Sequence, residues 1–115
     1  MMNIAREQLK AKVQTAYQKR LEGWRGMTVD ELIGNCEAVY ITDKLSRLLP
    51  AYASEEDAEY LLKFVDPLEV VVDAWIASNG MDAMIGDGHL DYLLWRLRDT
   101  GDAEADYDLE PAASA

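Results

Sequence analysis

The sequence is short of the residues that most often carry covalent or metal chemistry. Its 115 residues include one cysteine and one histidine. A lone Cys36 excludes an internal disulfide framework and fits a reducing, cytoplasmic setting. Standing at an apolar helical position, it reads as a buried, inert thiol. His89 has no second histidine or cysteine to share a zinc ion with, and a di-iron bundle needs Glu-x-x-His twice. Asp82, Asp87, His89 and Asp91 make an oxygen-rich cluster around one imidazole, but they lack the alternating carboxylates and closing Glu of a calcium loop. Gly86-Asp87-Gly88 is too short to cradle a phosphate, and its acid repels one. No Ser/His/Asp spacing activates a nucleophile. The expectation is a protein that is not an enzyme and uses no metal or cofactor.

Long apolar runs are missing too. None approaches the eighteen residues of a membrane span, and Met1–Glu7 lacks the apolar core of a secretory signal. The chain is therefore expected neither to span a membrane nor to be secreted by that route. Basic residues are scarce: eleven Lys and Arg face twenty-two Asp and Glu, for a net charge of −11. A direct phosphate-backbone binder needs clustered bases, so no direct contact with nucleic acid is expected.

What is present is a globular composition, half hydrophobic and 29% charged, at single-domain length. The charge is unevenly spread. Residues 1–25 sum to +4, residues 26–98 to −9, and residues 99–115 to −6 with no base at all. A basic first helix thus faces an acidic body, and pairing between them is the simplest use of that arrangement.

The pattern is helical throughout. Leu9, Val13, Ala16, Tyr17 and Leu21 recur at three- and four-residue steps over 4–22, with Gly23 and Gly26 closing the helix around Trp24. Thr28 with Glu31 forms a capping-box pattern for a second helix, which Pro50 should stop. Its expected buried face is Val29, Leu32, Ile33, Cys36, Tyr40, Leu45, Leu48 and Leu49. Ser54 caps a short third helix whose first-turn acids suit the helix dipole. Asp66-Pro67-Leu68-Glu69 opens a fourth with Leu68, Val71, Val72, Trp75 and Ile76 inward, and the run Val70-Val71-Val72 suggests two buried faces. A last helix runs from about His89 to Asp99, with Leu90, Leu93, Leu94 and Leu97 inside, and ends at Gly101. The expected fold is all-α: about five helices in a compact orthogonal or bundle-like domain over 1–101, then a disordered acidic tail over 102–115.

Two segments carry a resemblance. Asp30-Glu-Leu-Ile-Gly-Asn-Cys-Glu37 leading into Thr42-Asp43-Lys44-Leu45 is one. Leu61-Leu-Lys-Phe-Val-Asp-Pro-Leu-Glu69, with Asp73-Ala74-Trp75 and Met81-Asp82-Ala83-Met84, is the other. Together they resemble a family of small uncharacterised proteins of gut anaerobic bacteria, often carried on conjugative or prophage-like elements, over residues 10–100. The family offers no catalytic residues to carry over. The resemblance implies a mobile-element setting, in which small acidic proteins can inhibit host defence nucleases by presenting carboxylates where DNA phosphates would sit. On that expectation the partner is a protein, such as a nucleic-acid-binding nuclease, met by an anti-CRISPR-like DNA mimic. Its acidic face would be Asp30, Glu55, Glu56, Asp57, Glu59, Asp66, Glu69 and Asp73. The alternative is a structural or regulatory module that forms a homodimer or holds a partner protein through Tyr92, Trp95 and the leucine stripe, with Trp24 and Tyr52 as further aromatic anchors.

Overall fold

One long amphipathic helix is the axis on which the rest assembles. α1 (Ile4–Arg25) buries Ala5, Leu9 and Val13 on one stripe and half-buries Ala16, Tyr17 and Leu21. Gly23 does not end it. The helix runs on to Arg25, where Gly26 and Met27 donate back to the carbonyls of Gly23 and Trp24. The Trp24 ring meets Tyr17 edge-on at 5.9 Å, which ties the last turn down despite the glycine.

This computed structural model describes residues 4–79 and 87–111, with the side chains of residues 78, 79 and 87–89 outside the description. The Asp82/Asp87/His89/Asp91 cluster therefore lies largely outside the described residues. The remaining helices are α2 (Val29–Gly34), α3 (Cys36–Tyr52), α4 (Glu55–Leu61), α5 (Pro67–Asn79) and α6 (Asp87–Thr100). Among the described residues there is no strand, only an isolated antiparallel bridge between Phe64 and Leu109. The fold is all-α, with six α-helices among the described residues where the periodicity suggested about five.

The extra helix comes from a break within 28–50. Thr28 and Glu31 do form the capping box, Glu31 N–H donating to Thr28 Oγ1 at 3.2 Å and Thr28 N–H to Glu31 Oε1 at 2.9 Å. After six helical residues the backbone leaves the helix at Asn35, whose N–H reaches back to Leu32 and whose side chain donates to the Glu31 carbonyl at 2.8 Å. Glycine followed by asparagine is poor helix interior and good turn chemistry. α3 restarts at Cys36, and at 3.6 residues per turn Cys36 and Tyr40 fall on about the opposite face of it from Leu45 and Leu49, so the expected buried residues do not form one face. Ile41, Leu45 and Leu49 are fully buried, and Leu48 is half-buried. Val29 is 72% exposed and Ile33 63%, and Tyr40 and Cys36 are exposed as well. Cys36 is thus not the buried thiol its helical position suggested. Nor does Pro50 stop α3. It sits in the last turn, and the helix continues to Tyr52.

The later helices follow their signals. Ser54 and Asp57 form a second capping box, and Asp66 Oδ1 accepts from Glu69 N–H at 3.0 Å ahead of Pro67. Val70, Val71 and Val72 are all buried, as two covered faces of α5 require, and Trp75 is 1% exposed. Leu90, Leu93 and Leu94 of α6 are buried and Leu97 packs beside them. Gly101 closes α6 with φ of +67°, a backbone that glycine adopts without the strain a Cβ would add. α1 packs on α3, α4 and α5, while α6 covers the other side of α3, α4 and α5.

The stretch after Gly101 begins as part of the body. Residues 102–105 form a 3₁₀ turn that buries Ala103, and Tyr107 is half-buried against the core. Val65 N–H donates to the Asp108 carbonyl at 3.0 Å and Glu110 N–H to the Lys63 carbonyl at 2.7 Å. The expected tail boundary at 102 thus moves along the chain, because Ala103 and Tyr107 supply apolar contacts that periodicity could not flag. Two α1 bases pair with later acids: Lys12 with Glu110 at 2.9 Å and Arg20 with Asp66 at 3.1 Å. No helix among the described residues is long and apolar enough to cross a membrane.

Candidate functional site

The acids expected to form one face are sent to several destinations by the fold. Glu55 caps α1, its carboxylate oxygens accepting from Ala5 N–H at 2.7 Å and Arg6 N–H at 3.3 Å. Glu56 and Asp57 both receive Arg98 of α6, at 3.0 and 3.1 Å. Asp57 is 8% exposed, and its other oxygen accepts from Ser54 N–H. Asp66 holds Arg20 and the start of α5. Glu59 and Asp30 are exposed and have no side-chain partner among the described residues. Much of the −9 between residues 26 and 98 is therefore spent on caps and bridges within the chain.

A different acidic grouping replaces it. Asp66 and Glu69 join Asp106 and Asp108 around a recess of about 260 Å³, with Val65 and Tyr107 completing its walls. Asp73 stands one turn further along α5 and accepts the Tyr107 hydroxyl at 2.8 Å. Partial burial first, then the neighbouring charges of Asp66 and Asp73, push the Glu69 carboxyl above its ordinary value. Burial, followed by the Asp73 hydrogen bond, pushes the Tyr107 hydroxyl up to about 12. Asp106 and Asp108 were assigned to the tail and could not be placed beside α5 from sequence, since they reach it only through the docking of residues 102–111.

A larger feature lies along α1. The last turns of α1, all of α2 and the first turns of α3 enclose an apolar groove of about 520 Å³. Tyr17, Leu21 and Trp24 of α1, Val29, Leu32 and Ile33 of α2, and Cys36, Val39 and Tyr40 of α3 line it. Asp43 closes one end, where it accepts the Tyr17 hydroxyl at 2.6 Å and pairs with Arg47 at 2.8 Å. That hydrogen bond, with burial behind it, raises the Tyr17 hydroxyl above its ordinary value. α2 buries none of its six residues, although Val29, Leu32 and Ile33 are large and apolar. Val29, Ile33, Cys36 and Tyr40, expected in the core, line this groove instead; Gly34-Asn35 signals the early end of α2, and the helical spacing itself puts Cys36 and Tyr40 on the face away from Leu45 and Leu49. Trp24, flagged by its flanking glycines, does belong to this site.

Tyr92 and Trp95, the aromatic pair chosen from sequence, are 59% and 48% exposed on α6, with ring centroids 6.0 Å apart. They stack on each other, and no recess gathers around them among the cavities described. Among the described residues no group of three or more His, Cys, Asp or Glu side chains has a metal-binding arrangement. Comparison with protein-family models, with curated proteins and with solved structures finds no match to this chain.

Proposed function

We propose that this chain is an interaction protein rather than an enzyme, and that it engages another protein through the apolar groove of α1, α2 and α3. One observation carries the reading: α2 is a capped helix that buries none of its residues and leaves the apolar Val29 and Ile33 72% and 63% exposed. Exposed apolar surface concentrated in a groove and rimmed by polar residues is the usual mark of a protein-binding site. A reducing cytoplasmic setting suits the exposed, unpaired Cys36 in that groove.

A second reading keeps the acidic face. Carboxylates of Asp66, Glu69, Asp106 and Asp108 gathered on one recess support the proposal of a mobile-element, anti-defence protein that occupies the polyanion groove of a nuclease. Tyr92 and Trp95 are the alternative anchor for a partner. Charge reversal at Glu55 and Glu56 is a poor test of mimicry, because it removes the α1 cap and the Arg98 bridge. Glu69, Asp106 and Asp108 are exposed and leave those contacts intact.

Affinity capture with three forms of the protein decides between the readings. A partner lost with Ile33→Glu but kept with Glu69→Lys/Asp106→Lys/Asp108→Lys supports the groove. The opposite pattern, with a nuclease among the proteins lost, supports mimicry. The same partners on all three forms overturn both.

A further inference from the structure

We propose that residues 106–111 are a releasable strap, closed beside α5 against like charge, whose docking tightens as ionic strength rises. The strap follows the 3₁₀ turn of residues 102–105 and runs antiparallel to residues 63–65. Val65 N–H donates to the Asp108 carbonyl at 3.0 Å and Glu110 N–H to the Lys63 carbonyl at 2.7 Å, on either side of the Phe64–Leu109 bridge. Side chains add two contacts. The Tyr107 hydroxyl donates to Asp73 at 2.8 Å, and Glu110 pairs with Lys12 at 2.9 Å. Little apolar surface backs them: Tyr107 is half-buried, while Asp106, Asp108, Leu109, Glu110 and Pro111 are exposed. A surface segment tied by a few hydrogen bonds, with little buried beneath it, opens at far lower cost than a core helix.

Charge works against the closed form. The strap holds three acids, Asp106, Asp108 and Glu110, and no base; it carries −3 and the rest of the chain −8. Asp66 and Glu69 of α5 share the recess with Asp106 and Asp108, and Asp73 stands one turn on. The bases within reach are already engaged, Lys12 by Glu110 and Arg20 by Asp66. Asp106 and Asp108 have no side-chain partner among the described residues. Glu69 registers the crowding: behind burial, Asp66 and Asp73 push its carboxyl up, and Asp108 adds to them against the pull of Arg20. Salt screens exposed charges over about 8 Å at physiological strength and about 3 Å at 1 M. It weakens the Lys12–Glu110 pair too, but that is one attraction set against the mutual repulsion of Glu69, Asp73, Asp106 and Asp108. The recess holds its four carboxylates only while the strap is closed. Release leaves the acids of α5 alone and frees the Val65 N–H and the Lys63 carbonyl. None of these residues lines the groove of α1, α2 and α3, so the strap opens independently of it.

Amide exchange of the full chain, read by NMR at about 20 mM and about 500 mM sodium chloride, tests this. The Val65 and Glu110 amides should open together, with an opening constant at least about a hundredfold larger than that of Val72 in the buried face of α5. The higher salt should reduce their opening about fivefold. Asp106→Asn/Asp108→Asn should tighten the strap about threefold at low salt and abolish most of the salt response, read at Val65, which is distant in sequence from both changes. Tyr107→Phe, which removes the bond to Asp73, should loosen the strap about fivefold at either salt. Val65 and Glu110 amides that exchange only when Val72 does overturn the proposal, as does an opening that salt leaves unchanged or increases. A salt response undiminished in Asp106→Asn/Asp108→Asn overturns it too, because the strap would then open for a reason other than its own charge.

Discussion

α2 and α4 begin with the same chemistry and meet different fates. Each is short, each opens on a complete capping box, Thr28 with Glu31 and Ser54 with Asp57, and each has acids in its first turn. α4 buries Asp57, Ala58, Tyr60 and Leu61, while α2 buries nothing. A capping box fixes where a helix starts. What the helix packs against is decided by the chain after it. Leu62 and Lys63 lead α4 directly into the buried Phe64, whereas α2 runs through Asn35 into Cys36 and Glu37, both exposed. A helix that costs little to form and buries none of its own residues is free to cover something else.

The sharpest way to break that comparison is to truncate one leucine or isoleucine in each helix. Leu61, 1% exposed, sits among core side chains that cannot close a hole. Leu61→Ala should cost about 3 kcal/mol of unfolding free energy. Ile33→Ala should change the stability of the monomer by less than about 0.5 kcal/mol, because its side chain is already in water. Urea unfolding at a concentration low enough to keep the chain monomeric reads both. Similar losses in the two variants would mean that α2 is part of the core after all.

The helices themselves were readable because their caps are local. Thr28, Ser54 and Asp66 each mark a start with a contact spanning three residues, and the stripe from Leu9 to Tyr17 needs only the helical period. The distribution of acids was not readable, since its causes are distant in sequence. Asp57 looks like any first-turn acid until Arg98 reaches it from α6, 41 residues away. Glu55 looks solvated until α1 brings its first amides to it, 50 residues away. The groove was missed for another reason. Val29, Ile33, Cys36 and Tyr40 share one face at 3.6 residues per turn, but Leu45 and Leu49 fall on about the opposite one, so the eight residues read as a single buried stripe were never one stripe.

Alkali offers a second, smaller contrast, since α4 buries a titratable ring and α2 has none. Tyr60 donates to Glu104 at 3.0 Å, and burial, then that bond and the charge of Glu104, raise its hydroxyl to about 12. The folded value lies above the ordinary 10.0, so the neutral hydroxyl contributes stability that is intact below pH 10 and lost as the pH rises through 12. Stability should fall across that window, and absorbance near 295 nm should show Tyr60 and Tyr107 ionising last. Tyr60→Phe should flatten part of the fall. A variant that loses stability with the same pH dependence as the parent would mean that the Glu104 contact does not hold the proton.

The smallest effect isolates the caps. Ser54 and Thr28 make the same two hydrogen bonds, so the local loss on truncation to alanine is the same, about 1 kcal/mol for a good N-cap. What differs is how much of it reaches the global unfolding free energy. α4 cannot fray without uncovering Ala58 and Leu61 and releasing Arg98 from Asp57, so Ser54→Ala should show nearly the full amount. α2 can fray without uncovering any side chain that it buries, and its loss should be absorbed by local opening, leaving a few tenths of a kcal/mol in the global transition. Amide exchange would find the missing part in the faster exchange of Leu32, whose N–H donates to the Thr28 carbonyl at 3.0 Å.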